Sequence, residues 1–189
     1  MYKKIILGLL VSVGTLLHSA DISAVIKKAG EIRKQKGAKA AGLFYMQKAS
    51  LPEFNMNETR KLLNLGTAEL IRDHADLAFQ CVRRALVTPS KDRTENQRSY
   101  ILLGRCYSRI GKPIHAIGAL SNAVANPKDG HPSLLYSAWF YIGMAHIELK
   151  EYDAAKNAFE EAIKAGKKVT YRFSYKRAEQ MLERIKNRK

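Results

Sequence analysis

Acidic residues are scarce in this chain: 17 Asp and Glu stand against 33 Lys and Arg in 189 residues, a formal net charge of +16. No carboxylates cluster at metal-ligand spacing, and the five histidines, His18, His74, His115, His131 and His146, occur without an HExxH. No metal site is expected. Cysteine is almost absent; Cys81 and Cys106 form no CxxC, which excludes a dithiol redox centre. A GxSxG elbow, a phosphate loop and a dinucleotide fingerprint are all missing, so the chain reads as a non-catalytic protein with no cofactor and no small-molecule substrate. Zinc-finger spacing, helix-turn-helix and glycine-aromatic strand signatures are missing too, which argues against sequence-specific reading of nucleic acid. Glycine and proline are sparse, at 12 and 5 residues. With no Ser-rich or Pro-rich linker, residues after the first twenty make one domain of ordinary size.

What is present at the start is a short apolar run, Ile5 to Leu17, behind Lys3 and Lys4. Its thirteen residues are too few to span a bilayer. A basic leader, a short apolar segment and small residues after it describe an export signal over residues 1–20, and hence a periplasmic protein of a bacterium. Cleavage after Ser19 and after Ala20 both remain open, and an uncleaved inner-membrane tether is the alternative. No cysteine follows closely, which disfavours a lipid anchor.

The basic excess is uneven. Residues 167–189 hold nine Lys or Arg against Glu179 and Glu183. One reading is a solvated terminal helix whose charge aids solubility. The other is a basic surface, Lys167, Lys168, Arg172, Lys176 and Arg177, that holds an anionic lipid or polymer of the cell envelope through salt-sensitive contacts.

The strongest pattern is a recurring register. Gly66, Gly104 and Gly143 are each followed by a small residue 12 and 19 positions later and an apolar one 16 positions later: Ala78, Val82 and Ala85; Ala116, Leu120 and Ala123; Ala155, Phe159 and Ala162. Large residues, Leu62, Tyr100 and Trp139, stand four positions before each glycine. Small residues that admit a neighbouring helix, flanked by bulky ones, predict antiparallel helix pairs stacked side by side, since one pair cannot bury its own apolar face. Asn55 with Glu58 reads as a capping pair, and Asp153 as a cap for the helix after Lys150. A weaker copy is centred on Gly30, with Ile26, Gly42, Met46 and Ala49 at the matching places.

With Trp139, Ile142, Gly143, Tyr152, Ala155, Phe159 and Ala162 in these positions, the chain resembles the tetratricopeptide repeat (TPR) family. Tyr107 supplies the family's aromatic three residues after the glycine, where Glu69 and His146 depart from it. The glycines are 38 and 39 residues apart, against about 34 for the common unit. The extra residues, in Ser90 to Asn96 and Asn126 to Leu134, read as longer turns between repeats. The fold expected is all-α: a right-handed α-solenoid of TPR-like helix pairs with a C-terminal capping helix. Repeats are expected at 59–92, 97–130 and 136–169, the cap at 170–187, and a degenerate repeat or capping helices at 21–54.

The resemblance further implies a concave groove that binds another protein, lined by Arg60, Leu63, Thr67 and Leu70, then Arg98, Ile101, Arg105 and Ser108 with Arg109 at the edge, then Ser137, Phe140, Met144 and Ile147. Apolar ends and a basic middle suit a segment with hydrophobic anchors around acidic residues. Core packing is the competing role for Leu63, Ile101, Phe140 and Ile147. The family's Lys, Asn and Arg carboxylate clamp falls here on Leu63, Thr67, Leu102, Ser137 and Tyr141, which disfavours that mode. Cys81 and Cys106 lie in consecutive helices at similar distances from their turn; they form either a disulfide worth roughly 3 kcal/mol or two buried thiols.

Overall fold

The computed structural model describes residues 22–49, 58–87, 90–126, 130–169 and 173–187; the leader at 1–20, Asn55, Tyr171 and Arg172 lie outside them. The described residues form eight helices and no strand: α1 (Ile22–Ala49), α2 (Glu58–Ile71), α3 (Ala75–Val87), α4 (Arg93–Arg109), α5 (Pro113–Val124), α6 (Pro132–Glu148), α7 (Tyr152–Gly166) and α8 (Phe173–Lys186). Each helix packs on the next in sequence, and α2, α4, α6 and α8 also touch in succession, so the even-numbered helices make one continuous inner layer.

Local chemistry sets the helix starts. Pro113 and Pro132 occupy the first turns of α5 and α6, where a missing N–H loses nothing. The Asp92 carboxylate accepts from the Thr94 amide at 2.8 Å and caps α4. Asn96 then bonds the Ser90 backbone in both directions, which ties the preceding loop to the helix. α4 and α6 therefore begin at Arg93 and Pro132, so part of the extra length expected in the turns is helix. Asp153 sits within the first turn of α7 and does not cap it; the N-cap residue is Glu151, which makes no side-chain cap bond.

The turn inside each pair is the same three times. Asp73, Gly111 and Lys150, seven residues after the repeat glycines, have φ of 71°, 70° and 62°. The following amides, of His74, Lys112 and Glu151, donate back to the carbonyls of Glu69, Tyr107 and His146 at 2.9 Å each. A left-handed residue with this closing bond stops a helix and satisfies its last carbonyls. The carbonyls of His74, Lys112 and Glu151 in turn accept from Ala78, Ala116 and Ala155, which start the second helix.

Those turns set the helices close enough for the glycine register to act. A Cβ on Gly143 would stand 2.7 Å from Cε1 of Phe159, and one on Gly104 would run into Cγ of Leu120. Both partners are the apolar residues sixteen positions on. At Gly66 the nearest atoms belong to Leu102 of the next pair, at 3.0 Å, and Cys81, at 3.1 Å. Every small and apolar residue of the three registers is buried, and burying Phe159 alone stabilises by roughly 1.5–3 kcal/mol. Gly30 differs: nothing lies within 4 Å of its Cβ position. The helix it occupies is broken instead at Gly37, with φ 81°. The side chains of Ile26, Gly42, Met46 and Ala49 lie outside the described ones.

At the other end, Ala178, Met181, Leu182 and Ile185 of α8 close over Phe159 and Ala162 of α7.

Candidate partner-binding groove

The inner layer carries an open groove of about 280 Å³ that runs across three helices. α2 contributes Arg60, Leu63, Asn64 and Thr67, α4 contributes Arg98, Ile101, Leu102 and Arg105, and α6 contributes Leu134, Ser137 and Tyr141. Leu63 and Ile101 are 5% and 7% exposed, so they form the floor and share the core.

Several polar groups on the walls already have partners. Arg60 Nε donates to Glu95 Oε1 at 2.8 Å, and Glu95 is itself buried, so this pair fixes α2 against α4. Thr67 and Ser137 donate to carbonyls one turn back, those of Leu63 and Ser133, at 2.7 and 2.8 Å. The Arg105 guanidinium lies 5.3 Å from the centre of the Tyr141 ring, linking α4 to α6. Arg98 is exposed at the groove.

Leu70, Ser108 and Arg109 do not line this groove. They face a second cavity of about 540 Å³ that shares Arg105 and Tyr141 with it and is completed by Arg33, Ile71, Glu148 and Arg177. Arg109 pairs with Asp73 across the surface at 3.0 Å.

Phe140, Met144 and Ile147 are a correction to the expected lining: all three pack against the α7–α8 cluster with Phe159, Ala178, Met181, Leu182 and Ile185. The Phe140 ring centre is 5.6 Å from that of Phe159. On α6 the face turned to the groove and the second cavity is Leu134, Ser137, Tyr141 and Glu148. Spacings of three, four and seven put these residues on one helical stripe. That stripe was present in the sequence, and so was the capping helix expected at 170–187; which stripe of α6 that helix would cover was not.

The expected basic surface is only partly basic. Lys167, Lys168 and Lys176 are exposed, but Lys176 and Arg184 line a depression together with Glu179 and Glu183. Glu183 also pairs with Lys186 at 3.0 Å. Arg177 turns to the inner cavity, and Arg172 is outside the described residues.

Cys81 and Cys106 are free thiols, so the disulfide alternative is not formed. Burial pushes the Cys106 thiol up to about 11, with nearby Arg105 opposing it. Cys81 is raised for the same reason, with Glu69 adding to it. These are packed groups and poor nucleophiles. Among the described residues no three His, Cys, Asp or Glu side chains converge on a metal position, and no helix is long and apolar enough to cross a membrane.

Stacked helix pairs with a ligand-sized groove along the inner layer define the class of the protein, an α-solenoid. Comparisons agree with that. A family model described as tetratricopeptide repeat matches residues 136–168. Tetratricopeptide repeat protein 21B of Homo sapiens is 40% identical over 78 residues, 41% of this chain and 6% of that protein. Its length is thus almost wholly outside the match. The crystal structure of the Sgt2 TPR domain from Aspergillus fumigatus superposes with a TM-score of 0.56 at 24% identity, over 70% of this chain and 79% of that one. The structure of MamA gives 0.49 at 20% identity, over 84% and 92%. Residues 136–168 thus match a tetratricopeptide repeat, and the helix pairs as a whole have the fold of a TPR domain.

Proposed function

We propose that the protein is a non-catalytic adaptor whose inner groove holds a segment of another protein with apolar anchors and acidic residues. The observation that carries this is the groove across α2, α4 and α6, with an apolar floor of Leu63, Ile101 and Leu134 below Arg98 and Arg105. Two acids near it are already engaged: Glu95 with Arg60, and Asp73 with Arg109. Apolar contacts supply residence and the arginines favour encounter with an acidic segment. The leader at residues 1–20 supports placing this interaction outside the cytoplasm; the mass of the protein recovered from its envelope tests removal of that leader.

Affinity capture of the tagged protein at low and at about 0.5 M salt tests the adaptor reading. The expected result is a stoichiometric protein partner retained in both, and lost in the double variant Arg98→Glu and Ser137→Arg with helix content unchanged. Retention of only anionic lipid or polymer, released by salt, refutes it and moves the function to Lys167, Lys168 and Lys176.

A further inference from the structure

The cavity beside the groove collects positive charge from both ends of the chain. Arg33 comes from α1, Arg105 and Arg109 from α4, and Arg177 from α8, so residues 144 positions apart face one space. One carboxylate, Glu148, lines the same space, and a second, Asp73, pairs with Arg109. Four guanidiniums against two carboxylates leave two positive charges in excess. Like charges so gathered repel one another, and an occupant of two negative charges removes that repulsion.

Two further features describe what the cavity can recognise. The Ser108 hydroxyl, on the same wall, is buried and has no hydrogen-bond partner, a group that a ligand oxygen would satisfy. The Arg105 guanidinium is already oriented over the Tyr141 ring, an arrangement that leaves its in-plane N–H fork for a carboxylate. The free volume, about 540 Å³, lies within the range of sites for whole ligands, about 300–1,000 Å³, and far exceeds what a single small ion fills. Because Arg105 and Tyr141 also line the groove, the two spaces lie side by side with a shared wall.

We propose that this arginine-lined cavity is a recognition site for two neighbouring carboxylates of an extended acidic peptide, whose apolar side chain lies in the adjoining groove. The proposal rests on the adaptor reading and specifies its partner: an Asp- or Glu-rich segment beside an apolar anchor. It also makes binding a clasp between α1 and α8, since their arginines meet on the ligand.

The probe is a fluorescent, end-blocked peptide with four glutamates between two leucines, followed by anisotropy in about 50 mM salt. Arg33→Ala and Arg177→Ala are each compared with the neighbouring exposed lysine, Lys34→Ala and Lys176→Ala, which make the same charge change outside the cavity. Each arginine variant should weaken binding about tenfold or more, as loss of a charged hydrogen bond does, and each lysine variant by less than about threefold. Hydrogen exchange should slow in α1 and α8 together when the peptide is bound. Equal losses from arginine and lysine variants, no binding of the peptide, or protection confined to α8 overturns the proposal. Displacement of the peptide by inorganic phosphate at matched ionic strength overturns the choice of occupant. If Arg98→Glu with Ser137→Arg abolishes capture while Arg33→Ala and Arg177→Ala leave it intact, the cavity assignment fails and the adaptor reading stands.

Discussion

Replacing Gly143 with alanine and Gly118 with alanine makes the same chemical change in the interior of two helices, with opposite expected signs. In an exposed helix, alanine gains about 0.8–1 kcal/mol over glycine through lower backbone entropy in the unfolded chain. At Gly118 nothing lies within 4 Å of the new methyl, so Gly118→Ala should stabilise by about 0.5–1 kcal/mol. At Gly143 the methyl would stand 2.7, 2.8 and 2.9 Å from three carbons of the Phe159 ring. That ring is fully buried and its neighbours Phe140, Met181 and Leu182 fill the space behind it. Overpacking of this kind costs about 1–3 kcal/mol, which exceeds the gain in propensity, so Gly143→Ala should destabilise by about 0–2 kcal/mol. Urea unfolding of the three proteins, read as a shift of midpoint at constant slope, measures the difference. Adding Phe159→Leu to Gly143→Ala should recover part of the loss as a favourable coupling term. If Gly143→Ala stabilises as much as Gly118→Ala, the close approach of α6 and α7 is not what holds that pair together, and the account of the register is wrong.

Two other perturbations test separate parts of the molecule. Lys150 holds φ at 62°, a conformation that disfavours a side chain by about 1–2 kcal/mol, so Lys150→Gly should raise stability by about 0.5–1 kcal/mol while Gly111→Ala lowers it by about 1, both read by urea midpoint. The Cys106 thiol, with its pKa raised from 9.0 to about 11, stays protonated in the fold where the unfolded chain releases the proton. Its contribution is therefore complete below about pH 9 and is lost as pH rises toward 11, at most about 2–3 kcal/mol in all. Melting temperature should fall more steeply over that window in the parent protein than in Cys106→Ala. A parallel pair of curves would show that the thiol is hydrated.

The departures of Glu69 and His146 from the expected aromatic have a shared explanation. Glu69 Oε2 meets Nδ1 of His74 at 2.8 Å, and His146 Nδ1 meets Oε2 of Glu151 at 2.6 Å. Each pair spans the turn from the third to the eighth residue after its glycine, with acid and base exchanged. In the middle copy Tyr107 instead packs with Phe79 and His115, at ring separations of 5.2 and 5.3 Å. A histidine–carboxylate hydrogen bond across the turn thus takes the place of ring packing in two copies, and read as isolated departures neither residue revealed its partner.

The glycine register by itself determined the helix pairs and their order, because a helix has one period and a close approach admits only a small residue. The floor of the groove, Leu63 and Ile101, came from the family resemblance, and the equivalent residue of the third copy, Phe140, packs against α7 and α8 instead. The sequence left three things undecided. Which stripe of α6 faces the groove depended on α8, whose Met181, Leu182 and Ile185 cover Phe140, Met144 and Ile147 and leave Ser137 and Tyr141 open. The left-handed turns at Asp73 and Lys150 carry no glycine to announce them. The meeting of Arg33 with Arg177 depends on how far the stack brings its two ends together, a sum of small rotations between neighbouring pairs that no local pattern encodes.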